Sequence, residues 1–135
     1  MPSQIKTPLT KKFDLEEGFV CSFVNPFSGL RSLLHPLPDK VKFYDSIYEG
    51  TFNVIIWCCN DLYFLEENLP MVMQRIYKNG CIWVCWYKKA SKKQKTVNEY
   101  KIRDSALALG LVDVKVCAVN EEWSGLKLVY RLQNR

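Results

Sequence analysis

Residues 52–58 read FNVIIWC and residues 81–87 read CIWVCWY. Both runs are apolar at almost every position, so neither leaves a face for water. A strand of this kind needs cover on both sides, which is the pattern at the centre of a parallel sheet. Between the two runs, Asn60 or Asp61 can cap a helix, and Leu62, Leu65, Leu69, Val72, Met73 and Ile76 recur at helical spacing. Pro70 falls inside that helix and predicts a kink, or two pieces with Pro70 in the first turn of the second. Asn79-Gly80 is expected to end it. Strand, helix, strand in this order implies a right-handed parallel crossover.

The stretch that follows extends the pattern. Thr96-Val97-Asn98-Glu99 has the form of a capping box and predicts a helix to Leu109, with Gly110 in the left-handed position after it. Residues 110–131 read GLVDVKVCAVNEEWSGLKLVYR. Val112, Val114, Val116 and Ala118 alternate with Asp113, Lys115 and Cys117. Leu126, Leu128, Tyr130 and Leu132 then alternate with Lys127, Val129 and Arg131. The short link over residues 120–125, with Trp123 in a turn, returns the chain antiparallel.

The first part of the chain is more broken. Residues 19–24 read as a buried strand stopped by Asn25-Pro26. Residues 28–34 can form a short helix closed by His35-Pro36 and Pro38, and residues 41–44 form a short strand ending at Asp45. Residues 1–12, basic and interrupted by Pro2 and Pro8, are expected to be a flexible arm. Residues 13–135 then make a single α/β domain. Its expected architecture is a Rossmann-like three-layer sandwich: a mostly parallel sheet of five or six strands with an antiparallel final strand.

Composition sets limits on function. With 135 residues, 48% of them apolar and 24% charged, the chain can bury an ordinary globular core. No apolar run is long enough to cross a bilayer and the N-terminus has no apolar leader core, so the expectation is a cytoplasmic protein with no membrane partner. The six cysteines lie in or beside strand-like apolar runs, where thiols act as small hydrophobes rather than as a disulfide framework. Cys81 and Cys85 would share a strand face. Their spacing is not that of a zinc knuckle, and His35 is the only histidine, so no metal site is assigned. Cys59, before the helix cap, is the thiol best placed for reactivity, but a buried inert cysteine is the favoured reading there too.

Two resemblances follow from these stretches. The order of elements over residues 52–58, 78–80, 81–87 and 112–132 resembles the second half of class I methyltransferase folds. EEGFV with VNPF, IWVCWYKK, and above all the stretch 110–131, resemble a small bacterial family described only as a domain of unknown function. This likeness covers roughly residues 13–133. The methyltransferase resemblance implies S-adenosylmethionine as a possible cofactor, held by a glycine-rich loop after the first strand and by an acid after the second. The corresponding positions here are 25–29, Asn-Pro-Phe-Ser-Gly, and Asp45. The loop has one glycine and a proline, and the first half is short by one strand and one helix.

The functional expectations are as follows. Ligands of doubly wound sheets bind beyond the carboxyl ends of parallel strands, which makes Asn25, Phe27, Ser28, Asp45, Asn60 and Asp61 the candidate ligand residues. Phe27 is expected to fill the space beside Asn25 and Asp45. Asn60 and Asp61 also fit helix capping. Lys88, Lys89, Lys92, Lys93 and Lys95 form a basic loop that could take an anion or nucleic acid, with Trp86 and Tyr87 beside it for base stacking. Trp123 is a plug over the core edge or an interface residue, and a homodimer or another protein partner is considered. No catalytic residue is assigned. The leading expectation is a non-catalytic binding or interaction module on a degenerate methyltransferase-like fold. The alternatives are a small-ligand, nucleotide or S-adenosylmethionine binding protein (or a methyltransferase), and a nucleic-acid-binding module.

Overall fold

A computed structural model describes residues 7–135. One six-stranded sheet runs through it: β1 (Val20–Val24), β2 (Lys42–Tyr44), β3 (Phe52–Cys58), β4 (Ile76–Tyr87), β5 (Leu111–Ala118) and β6 (Trp123–Tyr130), in the spatial order β2-β1-β3-β4-β6-β5. The pairs β1–β2, β1–β3 and β3–β4 are parallel, whereas β6 is antiparallel to both β4 and β5. This is the expected mostly parallel sheet with a reversed last strand. Strand order reverses direction beside β1, so β1 and β3 flank the switch point where such sheets bind ligands.

The two sheet faces are covered differently. Helices α2 (Leu62–Val72) and α3 (Glu99–Ala108) lie on the first face, over Ile55, Trp57, Ile82, Val84, Leu126 and Leu128. The second face is closed by α1 (Leu9–Lys12), Phe13, Leu15, and Leu30 and Leu34 from the β1–β2 connection. The arm expected over residues 1–12 is thus corrected in its described part: α1 is docked, with Leu9 buried. Residues 1–6 lie outside the described residues. Phe13 tilts against Trp83 at 4.9 Å between ring centroids, and the Trp83 indole donates to the Phe13 carbonyl at 3.1 Å.

Several local expectations are corrected. α2 ends at Val72, and a 3-10 turn over Met73–Arg75 leads straight into β4, so Asn79-Gly80 lies inside a strand. Gly80 is there for close approach: a Cβ would stand 2.7 Å from the Asn53 carbonyl oxygen, beside a register shift between β3 and β4. Pro70 sits within α2 without ending it. Asn98, not Thr96, caps α3, accepting from the Lys101 amide at 2.9 Å. The Thr96 hydroxyl instead accepts from the Leu62 amide at 2.8 Å and so caps α2. Residues 28–34 give only a 3-10 turn, Arg31–Leu33.

In β5 the register shifts between Asp113 and Lys115, and the expected alternation breaks there. Val114 and Val116 are left half exposed. A bulge in an edge strand disrupts the hydrogen-bonding row that a second sheet would need. At the other edge, β2 has three residues, and the segment from residue 45 to 51 joins it to β3 without a helix.

Candidate ligand-binding cleft

That short connection shapes the site. Parallel strands are normally joined by a dozen or more residues that cover the sheet with a helix. Here residues 45–51 bring only Ile47 into the first-face core. A cleft of about 170 Å³ remains between this segment, the ends of β1 and β3, and α2. Asn25 and Asp45 both line it, together with Ser46, Tyr48, Trp57, Phe64, Asn68 and Met71. The Ser22 hydroxyl holds the base of the loop, within 3.0 Å of the Tyr44 carbonyl and 2.9 Å of the Ser46 carbonyl. The Asp45 carboxylate is exposed and stands 3.7 Å from the Arg31 guanidinium. Trp57 is fully buried, and its indole Nε1 has no hydrogen-bond partner among the described residues.

The other expected ligand residues go elsewhere. Phe27 does not fill the space beside Asn25 and Asp45. It turns to the second face and stacks on Trp123, 4.7 Å between centroids, and Trp123 in turn contacts Tyr87 at 4.3 Å. Ser28 is exposed and lies outside the cleft wall. The Asn60 side chain accepts from the Tyr87 amide at 2.8 Å, tying the end of β4. Asp61 caps α2, accepting from the amides of Tyr63 at 2.9 Å and Phe64 at 3.3 Å. Both are engaged in holding the fold.

Trp123 is the first residue of β6 rather than part of a turn, and it is 6% exposed. Its own amide and that of Glu122 are held by Asn120, whose side chain accepts from both. The ring packs between Phe27 and Tyr87 at the edge of the second-face core.

The lysine loop contains a 3-10 turn, Lys89–Ser91, and Lys92 in a left-handed conformation. Lys93 pairs with Glu122 at 2.6 Å and lies 5.7 Å over the Tyr87 ring. The expected stacking platform is absent, because Trp86 is buried and Tyr87 is packed under Trp123. Lys88 is half-buried; Lys89, Lys92 and Lys95 are exposed.

All six cysteines are free thiols. Burial pushes Cys21 and Cys81 up to about 12. Burial also raises Cys59, whose thiol donates to the Asp61 carbonyl at 3.4 Å. The raised thiol agrees with the reading of Cys59 as a buried, inert cysteine. Among the described residues no three His, Cys, Asp or Glu side chains converge as for a metal ion, and no helix is long and apolar enough to cross a membrane.

Sequence reasoning missed Trp57, Phe64 and Met71 as wall residues. Trp57 reads as one more core residue of an apolar strand. Phe64 and Met71 do carry a signal: they are large apolar residues off the buried stripe of α2, and both remain exposed by more than a third.

Comparison with solved structures gives methyltransferase folds. An S-adenosylmethionine-dependent methyltransferase from Aquifex aeolicus superposes with a TM-score of 0.64 at 14% identity, over 89% of this chain and 86% of that one. Another, from Clostridium acetobutylicum, gives 0.61 at 7% identity, over 90% and 87%. A ribosomal protein L11 methylase from Lactobacillus delbrueckii gives 0.55 at 11% identity, over 85% and 71%. At such identities the likeness concerns fold alone. No curated protein matches the sequence. A family model does, over residues 39–132, and by that match the chain belongs to the proteins of unknown function grouped as DUF3052.

Proposed function

We propose that this chain is a non-catalytic small-ligand-binding module on a methyltransferase-like fold. The observation that carries this reading is the aromatic stack Phe27–Trp123–Tyr87. A glycine-rich loop lets backbone approach a cofactor closely and opens a helix whose N-terminus faces it. The segment after β1 instead has Asn25 in a left-handed conformation, then a proline and a buried aromatic contact, and a 3-10 turn in place of the helix. The cleft beside Asp45, about 170 Å³, is below the roughly 300 Å³ where ligand pockets usually begin. It suits a compact group better than a whole nucleoside with an amino-acid tail.

The second reading, an S-adenosylmethionine-binding protein or methyltransferase, draws support from Asp45 at the end of β2 and from the cleft beside it. Thermal shift separates the two. The proposal expects no rise in melting temperature with millimolar S-adenosylmethionine or its demethylated product. A rise abolished by Asp45→Ala would replace it with the second reading.

A nucleic-acid role for Lys88, Lys89, Lys92, Lys93 and Lys95 would rest on phosphate contacts alone. It would therefore show as binding lost steeply with salt and lost again on replacing the five lysines by Ser.

A further inference from the structure

We propose that the cleft beside α2 recognises a compact organic cation, an alkylated ammonium group. This rests on the binding-module reading above and names the ligand class for that site.

The first argument is charge. The chain carries a formal +5, yet no Lys or Arg lines the cleft or the shallow hollow next to it. Asp45 borders both, and Glu49 borders the hollow. An anion such as a nucleotide phosphate would meet two carboxylates. Arg31, outside the lining, stands 3.7 Å from Asp45 with both side chains largely exposed, a loose pair that a ligand cation can displace.

Aromatic content is the second argument. Tyr48 and Phe64 come to the cleft from two separate elements, with Trp57 buried in the wall, and Tyr44 borders the hollow. Tyr48 is 78% exposed and Phe64 48%, so both rings are accessible to a ligand. Aromatic faces grouped with a carboxylate are the usual chemistry for holding alkylated ammonium ions, whose diffuse charge is attracted to ring faces and whose methyl groups bury apolar area. The segment's anchoring by Ser22 places Tyr48 and Asp45 on the same short loop.

The cleft, about 170 Å³, has room for a small ammonium ion.

Calorimetric titration of the full chain with four probes tests the proposal: choline, tetramethylammonium, 3,3-dimethyl-1-butanol (the neutral carbon isostere of choline) and inorganic phosphate. Choline should bind at least about 5-fold tighter than the isostere, the effect of a cation on aromatic faces, and phosphate should not bind. Tyr48→Ala and Asp45→Asn should each weaken choline about 5-fold or more. Equal binding of choline and its isostere would overturn the cation assignment. So would no binding of either ammonium probe at tens of millimolar, with the variants confirmed folded by circular dichroism. S-adenosylmethionine binding that excludes choline would overturn the binding-module reading while leaving the site in place. A null with every probe, S-adenosylmethionine included, would sink only the present inference.

Discussion

The two halves of this sheet are held by different means. From β3 onward, strands of seven residues or more alternate with two capped helices, and the central strands β3 and β4 are buried on both faces. Before β3, the strands are five and three residues long, and no helix joins β1 to β2 or β2 to β3. Cover for the second face is improvised from α1, Phe13 and the Leu30–Leu34 region. What the difference teaches is a division of labour. The later half supplies rigidity, and the abbreviated first half leaves an open, aromatic, acid-rimmed cleft where a longer chain would lay down a helix.

Substitutions at chosen points can break this comparison. The largest effect is expected at Trp83→Ala in β4. It removes a fully buried ring and the hydrogen bond to Phe13, and should cost about 3–5 kcal/mol in urea unfolding. If the later half is the scaffold, no single change at the exposed positions Asp45, Ser46, Tyr48 or Glu49 should approach that. Gly80→Ala should cost about 1–3 kcal/mol, because a methyl group would press on the Asn53 carbonyl and must push β3 and β4 apart. A near-neutral result would mean the two strands slide freely there.

Asp14→Asn comes next, at about 1 kcal/mol near neutral pH. Asp14 is in a left-handed conformation that asparagine also tolerates, and its carboxylate bridges Lys127 at 2.7 Å and Lys115 at 3.1 Å. Burial alone would raise its pKa, but the bonds from Lys127 and Lys115 outweigh that, and the carboxyl is held below its ordinary value. A depressed folded pKa means stability that is complete above the unfolded value and is lost as pH falls through the folded one. The gap between wild type and Asp14→Asn should therefore close below about pH 4. A constant gap down to pH 2 would remove the charge from the explanation. Smallest of all, Tyr48→Ala should change stability by no more than about 0.5 kcal/mol, since its ring is mostly in water. A larger loss would show that the cleft is part of the core.

Legibility follows the same division. β3, β6 and the caps at Asp61 and Gly110 could be read directly, because unbroken apolar runs, strict alternation and short polar caps each have one cheap interpretation. The β4 start was hidden by Asn79-Gly80, whose turn chemistry is the same whether it ends a helix or admits a neighbouring carbonyl. The bulge in β5 was hidden too, since a one-residue insertion leaves the alternation Val112, Val114, Val116 intact on paper and reverses it in space. At the site, Asn25 and Asp45 line one cleft. The position of Phe27 could not be read, because its partner Trp123 is distant in sequence and only the fold brings them together. Trp57 was invisible for the opposite reason: nothing in an apolar strand marks which ring will lack a partner.

The claim that the segment after β1, with Phe27 drawn away onto Trp123, does not form a methyltransferase cofactor loop is tested most directly by an amide-resolved NMR titration with S-adenosylmethionine. The account predicts that the signals of residues 25–29 and 123 stay in place at millimolar ligand. Saturable shifts there, with those of Asp45, would contradict it.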